Sequence, residues 1–124
     1  LSPDGRFLHV AATRGNCVWR MPLQRDGSVS KAGQFFTSYG PSGPDGLAVD
    51  TEGHLLVANP GLGYVWVLNH RAEPVQVLRG APGSSTTNLA FGGEGRRTVY
   101  VTDSTHGRVL RAEMPAAGLP LHRA

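Results

Sequence analysis

Short apolar runs, bounded by glycine, proline or polar residues, follow one another along the whole chain. The runs are rich in Val, Leu, Tyr, Phe and Trp, the residues that suit the half-buried surface of a β-sheet. No apolar repeat with the 3.6-residue period of a helix persists for more than a turn or two. The hydrophobic pattern therefore predicts an all-β chain built from short strands.

Three segments of the chain repeat the same pair of apolar runs. In each segment, the valine that ends the first run precedes a valine of the second run by 8 residues. The three pairs are Val10 with Val18, Val57 with Val65, and Val101 with Val109. The step from one segment to the next is 47 residues and then 44 residues, which is in the range of a four-stranded propeller blade.

Additional runs supply the other strands of each repeat. First strands are predicted at 46–50 and 88–92, and fourth strands at 33–37, 74–78 and 118–122. The sequence thus predicts a partial β-propeller, a single domain with about three four-stranded antiparallel blades at residues 1–40, 41–82 and 83–124. The first of these blades lacks its inner strand. A β-sandwich is the structural alternative, because it also consists of short antiparallel strands.

The predicted blades are fewer than the four to eight that close a propeller. The edge strands should therefore be open unless a second copy or a further segment covers them. The chain begins at Leu1 with neither an initiator Met nor a signal peptide, and we expect it to be part of a longer protein.

Composition narrows the class of protein only slightly. The 17 Gly and 9 Pro residues fall between the runs as turn formers, and the net charge of +3 comes with scattered arginines rather than a basic patch. We therefore expect no nucleic-acid partner, and the absence of a long apolar stretch predicts no membrane span. The single cysteine, Cys17, excludes an internal disulfide and is expected as a small buried strand residue. The compartment and the oligomeric state stay open, with the cytoplasm slightly favoured.

Two longer motifs include the first strands of the second and third repeats. Residues 44–58 read PDGLAVDTEGHLLVA, and residues 87–93 read TNLAFGG before the run RTVYVT at 97–102. Both motifs resemble those of the SMP-30/gluconolactonase/LRE-like family. Residues 1–6, LSPDGR, resemble the turn after an earlier inner strand. The resemblance implies a six-bladed propeller with Ca²⁺, or another divalent cation, at one end of a central tunnel. It also implies a lactone-hydrolysing enzyme.

The resemblance further implies that the cation is held by a Glu, two Asn and the Asp of the PDG motif. Only the last of these falls on this chain, at Asp45. We predict Asp45 as a metal ligand and as the catalytic base that accepts the proton of the attacking water. The alternative is that Asp45 only caps a Pro-Asp-Gly turn. Because the other implied ligands lie elsewhere, we expect this chain alone to be inactive.

Two further residues are predicted to bind substrate. Thr87 occupies the repeat position that corresponds to Asp45. His106 lies in the loop between the second and third strands of the third blade. Their alternative roles are the start of a strand for Thr87 and a solvent-facing turn for His106.

Other polar and aromatic residues are expected to have structural roles. Asn59 is expected to form a turn, and Asp50 and Glu52 are expected in a solvated turn at the far end of the inner strand. Trp19 and Trp66 hold equivalent third-strand positions and are expected to pack between blades.

The predicted function is that of a metal-dependent hydrolase of the gluconolactonase type, in which water attacks a metal-polarised carbonyl and opens a small-molecule lactone ring. One alternative is a related hydrolase of other lactones or of phosphoesters, because fold and metal do not fix the substrate. The other is a non-catalytic binding scaffold similar to NHL or strictosidine-synthase-like propellers.

Overall fold

The computed structural model describes residues 1–121, which form ten β-strands joined by turns and by three short 3₁₀ helices. The strands are β1 Phe7–Ala12, β2 Cys17–Pro22, β3 Gly33–Thr37, β4 Leu47–Val49, β5 Leu55–Asn59, β6 Tyr64–Leu68, β7 Pro74–Arg79, β8 Thr86–Gly92, β9 Thr98–Asp103 and β10 Arg108–Glu113. The 3₁₀ helices are Thr13–Gly15, Pro60–Leu62 and Glu94–Arg96. Within these residues, no helix is both long enough and apolar enough to cross a membrane.

The strands form three antiparallel sheets that follow chain order. The first sheet contains β1–β3, the second β4–β7, and the third β8–β10. Every strand pairs with its neighbour in sequence, so each sheet is a meander like the blade of a propeller. The predicted all-β partial propeller is therefore confirmed, with three or four strands in each sheet.

The strand registers explain the repeated valine spacing. Val10 pairs with Trp19, Val57 pairs with Trp66, and Val101 pairs with Leu110. In all three sheets the residue just before the third strand of the repeat has a positive φ. These residues are Asn16 at 53°, Gly63 at 65° and Gly107 at 61°. The same tight reversal therefore sets the same distance between the paired strands.

The middle sheet carries the core because both of its faces are covered. All five residues of β5 are buried. Leu56 and Ala58 pack towards the third sheet in one cluster, and Leu55 and Val57 pack with first-sheet residues in another. Each fully buried Leu or Val contributes about 1.5–3 kcal/mol through the area it removes from water.

Two expectations for buried strand residues are confirmed. Cys17 begins β2 and is only 1% exposed. Trp66 packs between the first and second sheets, with its ring centroid 6.0 Å from that of Phe36. Trp19, at the equivalent register position, is partly buried.

The fourth strand predicted for the third sheet at 118–122 is wrong for the described residues, and His122 lies outside them. Gly118 instead forms an antiparallel bridge with Asp50, and the Leu119 N–H donates to the Val49 carbonyl at 3.0 Å. A Cβ on Gly118 would lie 2.2 Å from the Phe91 side chain, so a glycine permits this close approach. The segment therefore pairs with the far end of β4 in the middle sheet.

Candidate functional site

The two ends of the sheets differ in the chemistry they carry. Strands β4 and β8 start at one end, named here the Asp45 end, where the Gly46 N–H donates to the Thr87 carbonyl at 3.0 Å. The opposite end, named the Asp50 end, contains the turn between β4 and β5. Since neighbouring strands are antiparallel, the loop between β9 and β10 also lies at the Asp45 end.

The backbone of Asp45 is fixed while its carboxylate is exposed. The Asp45 N–H donates to the Ala58 carbonyl at 2.9 Å, and the Ala58 N–H donates to the Gly46 carbonyl at 2.9 Å. Pro44 before it is fully buried. The Asp45 side chain itself is exposed, and the ion pairs found within residues 1–121 do not include it. Backbone hydrogen bonds thus fix the chain at Asp45, while its carboxylate oxygens take part in no ion pair within residues 1–121.

Gly46 brings the two inner strands into direct contact. A Cβ at this position would lie 2.3 Å from Asn88 Oδ1 and 2.7 Å from the Asn88 Cα, so only glycine fits without displacing the neighbouring strand. The contact places Asp45 and Thr87 beside each other. Leu47 pairs with Val57 and Leu89 with Val101, which are the matching valines of the repeat. This register agrees with the expected correspondence between the two positions.

The Thr87 hydroxyl keeps the capacity to accept a hydrogen bond. Its Oγ1 lies 2.8 Å from Thr102 Oγ1. Thr102 Oγ1 also accepts from the Asn88 N–H at 3.0 Å and lies 3.3 Å from the Asn88 carbonyl oxygen. Either threonine can donate in the pair, and in both cases the Thr87 oxygen retains a lone pair for another partner.

His106 belongs to a network built on the buried carboxylate of Asp103. Its Nδ1 lies 2.8 Å from Asp103 Oδ2, which also accepts from Arg108 Nε at 3.1 Å and from Ser84 Oγ at 3.0 Å. The other oxygen of Asp103 accepts from the Ser85 N–H at 3.0 Å. The network ties the β9–β10 loop to the segment that enters β8.

The ionisation of Asp103 follows from these partners. Burial alone would raise the pKa of the Asp103 carboxyl, which is 1% exposed. The hydrogen bonds from the Ser85 N–H, His106, Ser84 and Arg108 outweigh burial and hold this pKa well below its ordinary value. Asp103 is therefore a carboxylate at neutral pH and can only accept hydrogen bonds.

The structure brings together some of the predicted site residues but not all of them. Asp45 and Thr87 are neighbours through Gly46, whereas His106 lies in a separate loop at the same end. Among the hydrogen bonds of residues 1–121, none joins His106 to Asp45. The sequence reasoning overlooked the role of Asp103, although an aspartate three positions before a histidine in one loop is a readable signal.

Two polar residues expected in turns, Asp50 and Asn59, are buried. Asp50 is 2% exposed and accepts hydrogen bonds from the Glu52 and His54 backbone and from His54 Nδ1, so its predicted solvation was wrong. Glu52 is exposed as expected. Asn59 does precede a 3₁₀ turn but is 0% exposed, and its Nδ2 donates to Ser38 Oγ. Its Oδ1 finds no partner within residues 1–121.

A cavity lies at the Asp50 end, away from Asp45. It has a volume of about 320 Å³ between the first and second sheets, with Phe7, His9, Arg20 and Phe35 among its lining residues. The Arg20 guanidinium lies over both phenyl rings. Burial, followed by the positive charges of the Leu1 amino group and of Arg20, lowers the pKa of His9 to about 4. Asp4 and Glu52 also line this cavity, and the positive charge of Arg20 among them disfavours a divalent cation.

The donor chemistry at Asp45 fits one part of a calcium site. A carboxylate oxygen is a ligand that a hard cation prefers, but calcium takes six to eight oxygens. Within residues 1–121 there is no group of three or more His, Cys, Asp or Glu residues that could hold a metal ion. The described residues can therefore contribute one carboxylate, and a complete site needs ligands from elsewhere.

Comparison with known proteins identifies similar chains. The sequence profile of the SMP-30/gluconolactonase/LRE-like region matches residues 1–105. The chain is 31% identical over 122 residues to a 6-deoxy-6-sulfogluconolactonase of Pseudomonas putida. The aligned region covers 94% of this chain and 41% of that protein. It is 37% identical over 82 residues to lactonase drp35 of Staphylococcus haemolyticus, and that aligned region covers 63% of this chain and 25% of the relative.

A solved structure is similar over the whole chain. Regucalcin of Agrobacterium tumefaciens, described as a calcium-binding protein, superposes with a TM-score of 0.84 and 30% sequence identity. The superposition covers 100% of this chain and 48% of regucalcin. The chain thus spans less than half the length of each of these three proteins.

Proposed function

Because the chain belongs to the SMP-30/gluconolactonase/LRE-like family, we propose that the complete protein is a calcium-dependent hydrolase that opens a small-molecule lactone. The observation that carries the proposal is the exposed Asp45 carboxylate on a backbone held by Ala58. Relatives named as lactonases and a similar structure described as calcium-binding support the same reaction and the same cation.

Asp45 has two roles in this proposal. One carboxylate oxygen would be a ligand of the cation, together with ligands from outside the described residues. A bound calcium ion would supply a Lewis acid that polarises the lactone carbonyl. Because residues 1–121 contain no group of three or more His, Cys, Asp or Glu residues that could hold a metal ion, we expect this chain alone to be inactive.

The proton transfer also uses Asp45. Its carboxylate accepts a proton from the attacking water while the water oxygen bonds to the carbonyl carbon. The ring C–O bond then breaks, and the proton passes from Asp45 to the ring oxygen, which becomes the hydroxyl of the hydroxy-acid product. Thr87, beside Asp45, offers its oxygen as an acceptor to a substrate hydroxyl.

Replacement of Asp45 by Asn in the complete protein tests both roles. The side chain keeps its size but loses its charge and its basicity, so turnover of D-glucono-δ-lactone should fall by about 100-fold or more. Hydrolysis is measured as acid release in a pH-stat with calcium at saturation. Retained turnover under that condition would reject Asp45 as the base.

Glu52→Gln is the matched control for this substitution. It removes the same charge from an exposed carboxylate at the Asp50 end. Turnover in this variant should equal that of the unmodified protein. An equal loss in both variants would mean that net charge, rather than the position of Asp45, governs the rate.

A further inference from the structure

We propose that His106 is a specificity-determining residue that accepts a hydrogen bond from a hydroxyl of a polyhydroxylated lactone, through an Nε2 atom whose lone pair is fixed by Asp103. The proposal rests on the proposed lactone hydrolysis and adds to it a residue that recognises a hydroxyl of the substrate. Its basis is the geometry of the Asp103 network, the exposure of the His106 ring and the position of both at the Asp45 end.

The tautomer of His106 follows from its buried partner. Asp103 receives hydrogen bonds from Ser84 Oγ, the Ser85 N–H and Arg108 Nε at 3.0, 3.0 and 3.1 Å. A carboxyl group that accepts from so many donors is ionised and has no hydrogen to give. The 2.8 Å contact with His106 therefore requires the hydrogen to be on Nδ1. In the neutral imidazole, the lone pair is then on Nε2.

The ring is fixed yet open to a ligand. The His106 side chain is 37% exposed, whereas the Asp103 side chain is fully buried. Within residues 1–121, Nδ1 of His106 has a hydrogen-bond partner and Nε2 has none. An acceptor that is oriented in advance loses little freedom when it binds a hydroxyl.

The same contacts argue against a nucleophilic serine in this network. Ser84 Oγ donates to the Asp103 carboxylate and lies 3.5 Å from Arg108 Nη2, so its hydrogen is not directed at the imidazole. A serine nucleophile needs the histidine as its base, with the aspartate on the other side of the ring. The network therefore lacks the geometry of a serine nucleophile paired with a histidine base.

The chain contains a natural control for this Asp–His pair. His54 Nδ1 also lies 2.8 Å from a carboxylate oxygen of a buried aspartate, Asp50. The His54 side chain is 27% exposed. This pair lies at the Asp50 end, so it shares the local geometry of the His106 pair but not its position. An effect that depends on substrate contact should appear in His106 variants and be absent from His54 variants.

Two lactones that differ only in their hydroxyl and hydroxymethyl groups test the proposal in the complete protein. His106→Ala should lower kcat/KM for D-glucono-δ-lactone by about tenfold, the effect of one lost hydrogen bond. For δ-valerolactone, which has no hydroxyls, the change should be under about twofold. His54→Ala should change neither value. Equal losses of His106→Ala on both lactones, or equal losses in both variants, would overturn the proposal.

The nitrogen shifts of the two histidines give a readout that does not depend on turnover. In the ¹⁵N-labelled complete protein, His106 should show a protonated Nδ1 and an unprotonated Nε2, and added D-gluconate should shift the Nε2 signal. If the unmodified protein hydrolyses neither lactone, the proposed hydrolysis fails while this readout still decides the hydroxyl contact. A protonated Nε2, or no shift with D-gluconate, would overturn the inference itself.

Discussion

The two aspartates at the ends of β4 have opposite environments. Asp45 is exposed, and only its backbone takes part in the hydrogen bonds that hold the strand. Asp50 is 2% exposed, and its oxygens accept from the Glu52 N–H at 3.0 Å, the His54 N–H at 2.9 Å and His54 Nδ1 at 2.8 Å. A carboxylate whose oxygens already accept hydrogen bonds stabilises the fold. A carboxylate whose backbone is hydrogen-bonded but whose oxygens have no partner is available to a cation or a water.

The path of the chain produces part of this difference. Residues 117–119 run beside the end of β4, where the Ala117 carbonyl accepts from the Thr51 N–H at 2.8 Å and Gly118 bridges Asp50. They cover the Asp50 end of the strand. At the Asp45 end, β4 meets β8 at Gly46 and Thr86 of β8 donates to the Asn59 and Tyr64 carbonyls, but the Asp45 side chain stays exposed.

Gly46→Ala should have the largest effect on stability, because the added methyl group would push β4 and β8 apart at the Asp45 end. The added methyl group would meet the Asn88 backbone and side chain at 2.7 Å and 2.3 Å, and relief of such overpacking costs about 3 kcal/mol. The free energy of unfolding is measured in urea. Gly33→Ala is the control, since its nearest neighbour would be the Arg20 carbonyl at 3.9 Å. Equal stability of the two variants would contradict the close approach of β4 and β8.

Asp50→Ala should lower stability by about 2 kcal/mol, because it leaves the His54 side chain and two backbone N–H groups without their acceptor. Asp45→Ala should change the free energy of unfolding by less than about 0.5 kcal/mol. Calcium affinity should fall more in Asp45→Ala than in Asp50→Ala. A large loss of stability in Asp45→Ala would assign Asp45 a structural role like that of Asp50.

Acid should destabilise the two ends of the sheets in separate steps. The pKa of His9, at the Asp50 end, falls from 6.5 to about 4 on folding, so the unfolded chain binds more protons and stability decreases as the pH falls from 6.5 to 4. The depressed pKa of Asp103, at the Asp45 end, gives stability that is complete above its unfolded value of about 3.8 and is lost at lower pH.

Thermal unfolding at a series of pH values separates these steps. His9→Gln should flatten the step between pH 6.5 and 4 but keep the lower one. Asp103→Asn should flatten the step below about pH 3.8. An unchanged lower step in Asp103→Asn would mean that another carboxyl group governs the acid unfolding.

Much of the fold was predictable because its signals are local. The valine spacing came from one type of tight reversal, and the matching registers of Leu47 and Leu89 follow from the same repeat. The burial of Asp50 was not predictable, because it depends partly on Gly118, which is distant in sequence. The segment at 118–122 was misassigned for the same reason, since apolar character does not tell which strand edge a segment will pair with.

The candidate site was predictable only in part. Asp45 was identified by its motif, and the expected proximity of Thr87 followed from the repeat. The sequence could not show that Asp103 orients His106, because two of the donors to Asp103, Ser84 and Ser85, lie 19 and 18 residues before it in the chain. Only the folded chain brings these groups to one carboxylate.

Calcium titration of the complete protein by calorimetry tests the central claim most directly. The unmodified protein should bind one calcium ion, and Asp45→Asn should weaken that binding by about 30-fold or more because a charged ligand is lost. Glu52→Gln should bind like the unmodified protein. Equal calcium affinity in the unmodified protein and in Asp45→Asn would contradict the account.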